Sequence, residues 1–305
     1  MADQAEPPTK PNPNPDPGTS ANDATAALVA ALTAPLTPLA KYKFRSHQTS
    51  KTTHLPLLQQ HHHQHPPTVV LLGDSMFERM ITIDESSNLV EPWPSAAMLP
   101  DSELPAGTGR LRGVFNASVG GDRVANIAYR LVGERFPDDP KKDLPGLMET
   151  LIRYGGGGDG GGGGGGEGVK VWVVQAGTND LSAKKGLADR NRDALRVVLR
   201  ALLGMPARSK TGKESRVLVT GLFYRKDVSR ELVDEANAKL ADMVRGLNRE
   251  LGIEKVVFLP AISEVKTEEH LVDHVHLRLD GYRVWMRELF PAVVGLLKEM
   301  DGEIA

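Results

Sequence analysis

Four short polar signatures hold the residues of this chain that are equipped for chemistry. Gly73-Asp74-Ser75 follows the apolar run TVVLL, and Asp273-His274-Val275-His276 lies near the other end of the chain. Between them stand NASVGGD, from Asn116 to Asp122, and QAGTND, from Gln175 to Asp180. A serine at the carboxyl end of a strand and the start of a helix exposes its Oγ, while neighbouring backbone N–H groups point at any developing anion. Ser75 is therefore a candidate nucleophile. His276, three residues after Asp273, lets the carboxylate meet Nδ1 within one tight turn and leaves Nε2 free to accept the serine proton. Glycine allows close backbone approach to a substrate, so the Gly121 N–H is a candidate oxyanion donor, and Asn179 offers a side-chain amide for the same purpose. A nucleophile, a base with its orienting carboxylate and two anion donors are the parts a serine ester hydrolase needs.

Each signature also has a plainer reading. Gly, Asp, Ser and Asn are what any strand-to-helix turn prefers, and Asp122 is placed to cap a helix. His270 and His274 beside DHVH raise a metal site, since Asp and His are good zinc ligands. No HExxH or similarly spaced motif accompanies them, which disfavours metal and leaves His274 as a surface or supporting residue. Position favours chemistry. All four signatures fall at the carboxyl ends of predicted strands or in the loop before the last helix, the rim of a parallel sheet where sites gather.

The elements that must position these residues alternate in period. Residues 68–72, 113–115, 169–174, 216–220 and 256–259 are short, apolar and rich in β-branched residues, as fully covered parallel strands should be. Helices are expected over 122–131 and 143–154. Leu195, Val198, Leu199 and Leu202 form a helical stripe within 185–203, and Ala236, Leu240, Met243, Val244, Leu247 and Leu251 form another, stopped by Gly252 as a C-cap. A last helical region, 280–300, contains Pro291 and is expected to kink or break there. Strands alternating with helices predict an α/β domain with a parallel sheet covered on both faces. The tract 155–168 holds 12 of the chain's 31 glycines but lacks a GK[ST] ending and precedes a strand, so it reads as a flexible linker remote from the site and not as a phosphate loop.

Of the 305 residues, 40% are hydrophobic and 25% charged, an ordinary globular composition. Eleven of the 21 prolines fall in residues 1–67, a segment also rich in Thr, Gln, His and Ala, which reads as a disordered extension ahead of one domain over 68–305. Within it, Ala24 to Leu32 is expected as a short helix able to dock on the domain, and HHHQH at His61 to His65 reads as low complexity in preference to a metal site. The longest apolar stretch, 24–40, is broken by Pro35 and Pro38 and is too short to span a bilayer, and no basic region precedes it as in a signal peptide. A cytoplasmic location is the default expectation. The absence of cysteine excludes disulfides and thiol catalysis, and a formal charge of -2 argues against a nucleic-acid surface over the whole chain.

Taken in order, the four blocks resemble the SGNH hydrolase superfamily, the GDSL-type esterases and lipases, with GDSM departing from GDSL only at its fourth letter. GGDRVANIAYRL and DHVHLRLDGY are most similar to the alpha subunits of the intracellular platelet-activating-factor acetylhydrolase. The resemblance implies a three-layer α/β/α fold with a five-stranded parallel sheet, of flavodoxin-like type. It implies Ser75 as nucleophile, His276 as base, Asp273 as its partner, and Gly121 and Asn179 as oxyanion donors together with the Ser75 N–H. No cofactor or metal is required, and the expected partner is a small acyl ester. A short acyl or acetyl group is favoured, because no amphipathic lid is evident. Phe77, Trp93, Met98, Phe223 and Tyr224, in the segments 76–105 and 223–230, are candidates either for an acyl site or for core packing. Thioester hydrolysis or acyl transfer would use the same parts. A noncatalytic scaffold on the same fold is the rival from another class. A flavodoxin-like nucleotide binder lacks its phosphate loop.

Overall fold

In the computed structural model, which describes residues 21–61, 67–136, 138–155, 168–207 and 214–302, the apolar runs become strands within two residues of their expected bounds. These are β1 (Val69–Gly73), β2 (Leu89–Val90), β3 (Val114–Asn116), β4 (Val171–Gln175), β5 (Arg216–Thr220) and β6 (Val256–Leu259). They form one sheet in the order β6-β5-β4-β1-β3-β2. All neighbours are parallel except β2, which pairs antiparallel with β3 through Leu89–Phe115 and Val90–Val114. The sheet therefore has six strands where five were expected. The sixth is a two-residue edge piece, too short to leave a period-2 signal.

Helices α1 (Ala21–Thr33), α2 (Phe44–Thr49), α3 (Leu55–His61), α4 (Ser75–Ile83), α5 (Val124–Val132), α6 (Leu147–Gly155), α7 (Asp189–Leu203), α8 (Arg230–Leu251) and α9 (Leu279–Asp301) accompany the sheet. Successive side chains of a strand point to opposite faces, and the core divides accordingly. Val70, Leu72, Trp172, Val174, Val217 and Val219 pack with Ile127, Met148, Leu199 and Leu240 of α5 to α8. Val69, Leu71, Val171, Val173 and Leu218 pack with Phe77 of α4 and with Trp285, Leu289 and Phe290 of α9. The result is a three-layer α/β/α sandwich with a mostly parallel sheet.

Sidedness decides two further outcomes. Helix α9 runs unbroken through Pro291, so the chain does not divide into two helices there. Pro291 is exposed, so water can satisfy the carbonyl that loses its partner, while Phe290 and Val293 hold the buried face in place. Phe77, Trp93 and Met98 are each 0% exposed and belong to the core, with Phe77 stacked on Trp285 at 5.2 Å between ring centroids. Core packing claims these three residues.

In the described part of the extension the expected short docked helix is present as α1, but order continues well beyond it. Residues 21–61 are mostly helical and packed against the domain, with Leu36, Leu55 and Leu58 buried and Leu28, Val29 and Leu32 half-buried against the core. Hydrogen bonds to the Lys41 backbone secure it: Lys41 N donates to Ala125 O at 2.9 Å, and the side-chain Asn126 Nδ2 donates to Lys41 O at 2.9 Å. His54 is 1% exposed and accepts at Nε2 from Asn88 Nδ2 at 3.0 Å, a role only the neutral ring can fill. Burial, with the nearby Arg130 charge, pushes its pKa down to about 3. A few apolar anchors and backbone pairs order a segment whose composition alone suggested disorder. The cores of the His61–His65 run and of the glycine tract, 62–66 and 156–167, lie outside the described residues. Among the described residues, no helix is long and apolar enough to cross a membrane.

Candidate active site

The sheet order places β1 centrally, with the chain leaving it towards β3 on one side and returning to β4 on the other. Such a switch in direction opens a crevice at the carboxyl ends of the strands. GDS follows β1, NASVGGD continues from β3 and QAGTND continues from β4, so three signatures meet there. Close approach of β1 and β4 requires Gly73, where a Cβ would lie 2.4 Å from the Gln175 carbonyl oxygen. Asp74 then caps α4, accepting from Met76 N at 3.0 Å, and Ser75 opens the helix half-buried at the crevice.

The fourth signature arrives from the loop before α9. His276 Nε2 lies 2.9 Å from Ser75 Oγ, and His276 Nδ1 lies 2.7 Å from Asp273 Oδ2. Because the carboxylate accepts a hydrogen bond from Nδ1–H, Nε2 of a neutral ring is left to accept from the serine hydroxyl. Asp273 Oδ1 also accepts from Val275 N and His276 N, each at 2.8 Å, which fixes the turn that aims the ring. Burial alone would raise the Asp273 pKa. The hydrogen bonds from the His276 ring and from these two N–H groups outweigh it and hold the carboxyl well below the usual carboxylate range. His270 and His274 do not converge on a common point with this pair. His270 Nδ1 accepts from Lys266 N at 2.9 Å, and the His274 ring centroid is 6.5 Å from that of His276.

Asn179 links the two remaining loops, donating through Nδ2 to Asp122 O at 2.9 Å and to Asp74 Oδ2 at 3.3 Å. Gly121, next to Asp122, has φ +73, a conformation that a side chain would strain. Asp122 does not serve as the N-cap of α5. Arg123 holds that position, and Val124 N donates instead to Asp180 Oδ2 at 3.0 Å. The Asp122 carboxylate is committed elsewhere. Arg130 Nε donates to its Oδ2 at 2.8 Å, with both side chains 0% exposed, and Arg130 also donates to the carbonyls of Ala117 and Gly73. One buried guanidinium thus ties the end of β1, the exit of β3 and the GGD loop together. Its only trace in the sequence is a helical arginine eight residues after an aspartate. Tyr282 reaches the site from α9, donating to Met76 O at 2.7 Å.

Asp74 is fully buried, and desolvation pushes its pKa up to about 7 despite opposing hydrogen bonds. A raised folded pKa means the folded chain holds this proton longer than the unfolded one. The associated stability is complete below the ordinary value of 3.8 and is lost as pH rises through about 7. Asp74→Asn is therefore expected to flatten the decline of thermal midpoint with pH across that window, as measured by calorimetry. Parallel profiles for the two proteins would contradict the assignment.

The arrangement can transfer a serine proton to a held imidazole beside a glycine-lined loop, which is the equipment for attack on an acyl carbonyl. Similar solved structures include a carbohydrate acetylesterase family member from Sinorhizobium meliloti, 19% identical, TM-score 0.43, covering 77% of this chain and 99% of that one. A carbohydrate esterase family 3 protein from Talaromyces cellulolyticus is 15% identical, TM-score 0.46, with 76% and 99% covered. An aryl esterase from M. smegmatis is 15% identical, TM-score 0.43, with 75% and 99% covered. No curated protein matches the sequence. The GDSL-like Lipase/Acylhydrolase family model matches residues 69–289, spanning all four signatures. The chain belongs to that family, the SGNH hydrolases its four blocks resemble, and is a hydrolase acting on ester bonds.

Proposed function

We propose that the protein is a serine carboxylic ester hydrolase with Ser75, His276 and Asp273 as its catalytic residues. The observation that carries this is the continuous chain from Asp273 Oδ2 through His276 to Ser75 Oγ, at 2.7 and 2.9 Å. His276 takes the proton as Ser75 attacks the acyl carbon, and Asp273 stabilises the imidazolium that forms. The tetrahedral anion is held by the N–H groups of Ser75 and Gly121 and by the Asn179 amide. The imidazolium protonates the departing alcohol. Water, activated by the same histidine, then releases the acyl group and restores the serine. The parts needed include neither a metal nor a cofactor.

A short acyl group, acetyl above all, is the substrate class this reading favours. Phe77, Trp93 and Met98 are committed to the core, which leaves them unable to line a long acyl channel. Asn179→Ala is expected to lower kcat on the order of 10²- to 10³-fold, the usual cost of losing one oxyanion donor. Turnover equal to wild type would remove Asn179 from the mechanism. The function itself is tested with p-nitrophenyl esters from acetate to palmitate. The expected result is turnover that is highest on acetate and falls with chain length. A profile peaking at palmitate would overturn the short-acyl reading, and no hydrolysis of any ester by folded protein would overturn the esterase reading.

A further inference from the structure

We infer that Lys43, from the amino-terminal segment outside the matched family region, is a positioning residue for the Gly121 oxyanion donor. This rests on the esterase reading. Two consecutive glycines give the loop at 120–121 little stiffness of its own, so its geometry must be imposed from outside. Lys43 Nζ donates to Gly120 O at 2.8 Å and reaches Asp122 Oδ1 at 3.4 Å, thereby gripping the residues on both sides of Gly121. Ser46 Oγ, one helical turn further on, donates to the same Asp122 oxygen. The ammonium also overlies the glycine, since a Cβ built on Gly121 would lie 2.9 Å from Lys43 Nζ. The Lys43 side chain is only 30% exposed, and its strand of chain is pinned to α5 by the Lys41 backbone pairs. The family domain supplies the loop, and the extension supplies the clamp.

The donor that this clamp positions is used chiefly in the transition state, so loss of the clamp should act on kcat more than on KM. Lys43→Met is expected to lower kcat on p-nitrophenyl acetate about 10- to 10²-fold, the scale of a small misplacement at a reacting centre. KM should change little. Lys43→Arg, which keeps charge and donors, should recover most of the loss. Lys51→Met, in the same segment with its Nζ on the Lys141 carbonyl, should match wild type. Unchanged kcat in Lys43→Met, alongside Ser75-dependent turnover by wild type, would overturn the inference and leave the esterase reading standing. Amide exchange provides a readout independent of turnover. Lys43→Met should accelerate exchange over residues 119–123 without accelerating it in β1 or β4. Unchanged exchange there would overturn the inference even if the natural substrate proved not to be an ester.

Discussion

Alanine at His276 is expected to lower ester turnover on the order of 10⁴- to 10⁶-fold, as loss of the base does in serine hydrolases generally. Among the described residues, His276 is the base within hydrogen-bond reach of Ser75 Oγ, and Asp273 bonds to the ring nitrogen away from the serine. Ser75→Ala should cause a loss of the same size, and the double variant should be scarcely worse than either, since the two residues act as one unit. Asp273→Asn should cost about 10⁴-fold, because an amide there favours the wrong imidazole tautomer while leaving the turn folded. Steady-state kinetics on p-nitrophenyl acetate, with circular dichroism to verify folding, check all four proteins. Additive losses in the double variant would mean that Ser75 and His276 do not cooperate.

Arg130→Met is expected to destabilise the fold by about 3–5 kcal/mol, because it takes the buried cation from Asp122 Oδ2 and leaves the carboxylate only the longer Lys43 contact and the Ser46 hydroxyl, both on Oδ1. Both side chains are 0% exposed, so no solvent relieves the charge left behind. The Ala117 and Gly73 carbonyls would lose donors as well. For a domain of this size the thermal midpoint should fall on the order of 10 °C. A shift of less than about 2 °C would show that the guanidinium is not the keystone of the three loops. An intermediate shift with turnover lost would place its role in loop geometry.

Much of this was legible in the sequence because strands buried on both faces must be continuously apolar. Val69 to Leu72 and Val171 to Val174 meet that requirement, and their bounds fix where the polar loops begin. Ser75, Asn179 and His276 each suit an ordinary turn, and they stand out because their signatures fall together on one rim of the sheet. What stayed hidden depends on contacts distant in sequence. Helix α2 reads FRSHQT, with no apolar period, and owes its order to α5 and the GGD loop. Arg130 looks like any helical cation until Asp122 turns inward to meet it. Leu89 and Val90 become a strand only because β3 offers a free edge.

Covalent labelling tests whether His276 and Asp273 make Ser75 nucleophilic. A fluorophosphonate should modify wild-type protein at one site, located to Ser75 by peptide mass spectrometry. His276→Ala should label far more slowly, and Ser75→Ala not at all. Equal labelling of wild type and Ser75→Ala, or no labelling of a folded wild type, would show that Ser75 is not the nucleophile.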